Sequence, residues 1–158
     1  MSVTTGSGVT IALTAAQPAT YDEAGYDTLF TTAPIPSKIG ELIGGPELKR
    51  VYQLISYNLM DRKSTEKHKG SFDDGSFTLN LVYDYEDEGQ LVAQEALDSP
   101  DAYSAMVTLP NGVRAFLQLK VFGFGFGAPD ANQMVGATMD VQIVTTKTGV
   151  GVVVSEPA

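Results

Sequence analysis

The chain is expected to fold as a mainly β domain, a sandwich or barrel with one flanking α-helix. Three observations carry this expectation. Its 158 residues include 16 Gly and 8 Pro with many Val, Thr and Phe, a mix that favours strands and turns over a helical bundle. Two segments, 76–83 and 134–145, alternate apolar and polar residues with period two. A single stretch, beginning after Asp84, joins a capping acid to apolar residues at helical spacing.

Taken in order, 9–13 reads as a first short strand. Residues 14–37 are broken by Pro18, Gly25, Pro34 and Pro36 yet carry Tyr21, Tyr26, Leu29 and Phe30, so they read as an ordered arm whose rings need a surface to bury against. A short strand over 39–43 ends at Gly44-Gly45-Pro46, and 51–57 is another strand. Residues 58–75 show no apolar periodicity beyond Met60 and read as a long loop. In 76–83, Phe77, Leu79, Leu81 and Tyr83 share one face and Ser76, Thr78 and Asn80 the other. Asp84 or Asp87 caps the helix, whose stripe is Leu91, Val92, Ala96 and Leu97 and whose end is near Ser99-Pro100. Strands over 102–109 and 113–122 flank Pro110-Asn111-Gly112, where Asn-Gly supplies the positive φ of a tight turn. The last long strand turns Val135, Ala137, Met139, Val141 and Ile143 one way and Gly136, Thr138, Asp140 and Gln142 the other. In the C-terminal arm, 147–158, Val150 and Val152 to Val154 form an adhesive segment that must pair with something. Residues 1–158 read as a single domain without internal repeats.

Composition narrows the function classes. Absence of cysteine removes disulfides, thiolate catalysis and thiolate metal sites, and suits a reducing cytosol. No apolar run approaches the roughly 18 residues that span a bilayer, so no membrane insertion is expected. The N-terminus lacks the basic start and apolar stretch of a signal peptide. A net charge of −9 opposes tight nucleic-acid binding, which needs clustered Lys and Arg against phosphate.

Catalytic and metal patterns fail on inspection. Asp84 to Glu95 places acids at several calcium-loop positions, but Glu stands where shorter Asp or Asn is required, and a strand precedes it instead of a helix. Glu47-Leu48-Lys49 echoes part of a nuclease signature without a partner acid. His68, the only histidine, sits among cations with no nucleophile in a strained elbow. Phe122-Gly123-Phe124-Gly125-Phe126-Gly127 lacks dinucleotide-loop spacing and a following helix, and reads as a strand end with three rings on one face, its glycines admitting a neighbouring subunit. No enzyme and no cofactor are expected.

What remains is a sorting of charge. Residues 62–69 hold four cations (Arg62, Lys63, Lys67, Lys69) and one acid, whereas 84–101 hold seven acids and no Lys or Arg, with a strand between the blocks. Opposed patches on one molecule attract head to tail while like patches repel, which points to self-association.

The run Tyr57 to Asp84, with its polar loop, Lys69-Gly70-Ser71, Gly75-Ser76 strand start and Glu88-Gly89-Gln90 helix start, resembles the tail tube proteins of long, non-contractile-tailed bacteriophages. Ala19 to Tyr26 and Ile39-Gly40-Glu41-Leu42 fit the same family, which is related to type VI secretion tube proteins. The resemblance implies six copies closing into rings that stack into a hollow tube, with one sheet of each subunit joining an inter-subunit barrel through which DNA passes without specific binding. It implies a virion tail protein assembled in the host cytoplasm, with itself, tape-measure and tail-tip or terminator proteins as partners. The N-terminal arm, the 58–75 loop and the C-terminal arm would grip neighbouring rings. On that reading Arg62, Lys63, Lys67 and Lys69 meet Glu86, Asp87 and Glu88 between rings. Thr78, Asn80, Thr138, Asp140 and Gln142 line the lumen, and Arg114 and Lys120 lie on an outer sheet. The alternative is a monomeric or trimeric acidic β-sandwich binding or decoration module.

Overall fold

A computed structural model describes residues 8–32, 35–40, 42–44, 46–127, 130–132 and 134–156. The expected mainly β architecture is present, as one large antiparallel sheet and one small one. The large sheet holds β1 (Thr10–Thr14), β2 (Leu42–Gly44), β5 (Ser76–Val82), β6 (Tyr103–Thr108), β7 (Arg114–Phe126), β8 (Gly136–Val144) and β9 (Val153–Ser155). Its order is β1-β6-β7-β8-β5-β2, with β9 pairing the start of β7. The small sheet is a hairpin of β3 (Val51–Asn58) and β4 (Thr65–Asp73).

One face of the large sheet carries the main core. Ile11 and Leu13 of β1 lie in the same cluster as Phe77, Leu79 and Leu81 of β5, which is several strands away, so the sheet curls around its own apolar side chains. The register slips between Val121 and Gly123, where a bulge sharpens the bend. Helix α2 (Glu88–Asp98) packs on β7 and β1 over this face. Its buried side is Gly89, Gln90, Ala93 and Ala96; of the predicted stripe Ala96 is buried and Val92 packs on the core, whereas Leu91 and Leu97 are exposed. Small residues let the helix sit close: a Cβ on Gly89 would lie 2.5 Å from Ile39 Cα. Asp87 is the cap, accepting from the Gln90 amide at 2.9 Å.

A second helix, α1 (Glu23–Thr31), lies inside the N-terminal arm, where no helix was expected. Tyr26 and Phe30, four residues apart, put their rings on Phe116, which Tyr26 stacks at 5.4 Å. With Ala12 they form a separate cluster on the opposite side of the sheet. Arg114 reaches Asp27 at 2.6 Å and Ser155 donates to Glu23 at 2.8 Å, which fastens α1 to β7 and β9. Tyr26 and Phe30 of the arm and Val152 and Val153 of the C-terminal segment therefore find their surfaces within their own chain, whereas Val154 stays exposed.

Asp22 caps α1 by accepting from the Gly25 amide at 2.8 Å and from Thr20 Oγ1 at 2.7 Å. The Gly25 amide foremost, then the Thr20 hydroxyl, hold its carboxyl below the usual range. A lowered folded pKa means the stabilisation is present above the unfolded value of 3.8 and is lost as pH falls through the folded one. The melting-temperature gap between wild type and Asp22→Ala is expected to be full at neutral pH and to close below pH 3.8, in thermal melts across pH.

The Asn-Gly turn forms as read, with Gly112 at φ +92° and its amide donating to the Leu109 carbonyl at 3.0 Å. Of the three rings of 122–126, Phe124 and Phe126 share the core-side face, opposite Met139 and Ala137, and Phe122 stands apart. Phe122 is at the bulge and exposed, Phe124 packs on the core, and Phe126 stacks on Tyr83 at 4.5 Å.

Candidate assembly surfaces

The predicted 58–75 loop is a turn followed by a nine-residue strand. Every residue of β3 is exposed, so the hairpin stands off the body with both faces open. Directly opposed pairs place Leu54 with Lys69, Ser56 with Lys67, and Tyr52 with Phe72 on one face. Arg50 lies 4.0 Å over the Phe72 ring, and Lys69 Nζ is 5.2 Å from the Tyr52 ring, so this face is a cation–aromatic ladder. The other face carries Val51, Ile55 and Tyr57, with Tyr57 stacked on His68, whose Nε2 is 3.2 Å from the phenol oxygen. His68 has the place of a surface histidine, with no acid at its other nitrogen among the described residues.

The hairpin's root is the most constrained polar site in the chain. Asp74, 2% exposed, accepts from Arg50 Nε at 2.7 Å and from the Thr145 hydroxyl at the end of β8. The Arg50 guanidinium is held above its usual value chiefly by that hydrogen bond. Gly151 backs onto the same carboxylate, where a side chain would collide. Gly75 turns the chain into β5 at φ +98°, a conformation that favours glycine.

Of the four candidate cations, all are exposed. Arg62 is engaged at the turn with Glu66 at 2.5 Å. Lys63, Lys67 and Lys69 have no ion pair among the described residues. The candidate acids follow the far end of β5. The hairpin joins β5 at Ser76 and the acids follow Val82, so a strand of about 20 Å separates the blocks. Asp87 is occupied inside the chain by the Gln90 and Gly40 amides, at 2.9 and 3.0 Å. Glu88 accepts weakly from Ser37 at 3.4 Å, and Glu86 is exposed.

The residue that organises this acidic turn was not singled out from sequence. Gln90 is fully buried and donates to the carbonyls of Val82 (2.9 Å) and Gly40 (3.2 Å) while accepting from the Asp84 amide at 3.0 Å. Its position one turn behind a capping acid was the available signal. Gln90→Ala strands all three groups and is expected to lower stability by about 2 kcal/mol in chemical denaturation.

Thr78, Asn80, Thr138, Asp140 and Gln142 form one exposed polar face across β5 and β8, with Thr78 opposite Asp140, Asn80 opposite Thr138, and Thr78 donating to Asp140 at 3.0 Å. Lys120 stands directly opposite Gln142 and so shares this face, not an outer sheet as expected. Arg114 is on the same side of β7, but under α1. Among the described residues there is no second large sheet to receive them, because the sheet curls on itself instead. Among the described residues no metal-binding cluster occurs, and no helix is long and apolar enough to cross a membrane.

In sequence, no family model matches the chain and no curated protein does. Solved structures do match. A chain of the six-fold symmetrised anti-feeding prophage baseplate aligns with TM-score 0.60 at 14% identity, over 86% of this chain and 88% of that one. A chain from the sheath/tube terminator of the extracellular contractile injection system PVC, in its extended state, gives 0.60 at 10% identity over 94% and 93%. A chain from the extended sheath–tube complex of that system gives 0.56 at 9% identity over 93% and 87%. At these identities the likeness is one of fold, and it extends along nearly the whole chain.

Proposed function

We propose that the chain is a structural subunit of a phage-like tail tube, without enzymatic turnover, whose copies close into hexameric rings that stack. The observation that carries this is the hairpin. Two strands open to solvent on both faces, with Leu54 67% and Ile55 52% exposed, make a poor free-standing element but a good insert between neighbours. The fold-level likeness to components of tube-bearing injection systems supports the same reading.

Ring closure has strand edges to work with. β6 pairs β7 only from Arg114 to Leu119, and β2 pairs β5 only at Asn80 and Leu81. Lys120–Phe126 and Ser76–Leu79 therefore each keep a free edge among the described residues, and a neighbour's edge added at both would continue the sheet into a barrel. The polar face of β5 and β8 would then line the lumen. One Lys120 and one Asp140 per subunit leave that face without net charge, so it offers DNA no deep electrostatic well. In a virion the polymer passing through is DNA, and tape-measure, tail-tip and terminator proteins are the further partners.

Negative-stain microscopy of purified protein tests the proposal. Tubes of uniform diameter built on six-fold rings are expected. Small isolated particles at every concentration and salt would instead favour the monomeric or trimeric binding module.

A further inference from the structure

The hairpin's two faces differ, and so should what they bind. Lys49, Arg50, Tyr52, Leu54, Lys67 and Lys69 border an open, shallow depression of about 430 Å³ along the cation–aromatic side. It offers the Tyr52 ring, the aliphatic Leu54 side chain and ammonium groups beside them. It calls for an occupant that is both aromatic and acidic.

The chain itself carries one. In the turn between β5 and α2, Tyr85 is 69% exposed between Asp84 and Glu86. The turn is rigid: the Glu86 amide donates to Asp84 Oδ1 at 3.0 Å, the Asp87 amide to the Asp84 carbonyl at 3.2 Å, and buried Gln90 holds the Asp84 amide. A prong so fixed loses little conformational freedom on docking. Hairpin root and prong lie at opposite ends of β5, and the hairpin projects away from the body, so the contact is between copies. Joining one end of a molecule to the other end of the next is heterologous, and it propagates instead of closing a dimer.

Building on the tube reading, we infer that Tyr85 and Glu86 of one copy dock into the cation–aromatic face of the hairpin of the next copy along the stack. The tyrosine ring lies beside Leu54 and Tyr52, and Glu86 faces Lys67 and Lys69. Asp87, spent on its cap, takes no part.

Absence of native cysteine makes the test clean. The double variant Leu54→Cys/Tyr85→Cys is expected to give a ladder of disulfide-linked multimers on mild oxidation, resolved in non-reducing gels. Each single variant can give dimers at most. The control Ile55→Cys/Tyr85→Cys, on the opposite face, should give no ladder. Separately, Glu86→Lys should raise the critical concentration for assembly about fivefold, the size of one exposed ion pair, and Lys67→Glu in the same chain should restore it. A ladder from the Ile55 pair, or none from the Leu54 pair while the variant still assembles, overturns this docking and leaves the tube reading intact. Wild-type protein that never assembles overturns both.

Discussion

Replacing Leu54, Ile55 and Tyr57 together by Thr is expected to leave the chain folded and abolish its assembly at concentrations where wild type forms tubes. Threonine keeps strand preference while removing the apolar surface, so the hairpin itself should persist. All three side chains are about half exposed or more and touch neither core cluster, so the melting temperature of the body should change little. If each contributes about 1 kcal/mol when a neighbour covers it, the three together amount to about 3 kcal/mol. That raises the critical concentration roughly a hundredfold. Sedimentation and microscopy across a concentration series measure the shift. Assembly at the wild-type threshold would show that the hairpin is not where copies grip one another.

Phe116→Ala should be the most damaging single change to the fold, lowering stability by about 3–5 kcal/mol. Phe116 is fully buried on β7 and forms the floor beneath α1, stacking with Tyr26 at 5.4 Å and meeting Phe30 at 5.9 Å. It also lies under Arg114, whose guanidinium is 5.4 Å from the ring and pairs with Asp27 of α1. Removing the ring opens a cavity and loosens that pair at once. Chemical denaturation gives the loss, and hydrogen exchange should show α1 amides losing protection ahead of those in β8. Equal loss in both elements would mean that α1 does not depend on this cluster.

What could be read from residues alone follows from what each residue has to bury. β5 and β8 were legible because one side of each is core and the other open, which writes a period of two into Phe77-Leu79-Leu81 and Ala137-Met139-Val141-Ile143. β4 was not, because Thr65 to Ser71 has no buried side to alternate against. The same exposure that hid it as a strand is what the proposed assembly role rests on. α1 was masked by Gly25 and its two threonines, poor helix formers, and is held by Tyr26 and Phe30 packing on a ring about ninety residues away. In the α2 stripe Leu91 and Leu97 were misplaced because bulk was read as burial. A helix that must lie close to Lys38 and Ile39 turns Gly89, Ala93 and Ala96 inward and leaves its leucines outside. Of the candidate site, the charge blocks and their separation by β5 were visible. The two-faced hairpin and the Gln90 brace depend on long-range pairing that a linear string does not display.

The Asp74 node has a mechanical meaning. The hairpin leaves the body through two short strand ends, and an ordinary root of that kind would swivel. Here one carboxylate ties Arg50, just before β3, to Thr145 at the end of β8, and the chain at Gly151 packs close against it. Thr145 continues directly from β8, so a tug on the hairpin tip is passed through Asp74 into the large sheet. The projecting strands resemble a cantilever clamped at its base, so a load at the tip is expected to bend the body as a unit instead of folding a joint.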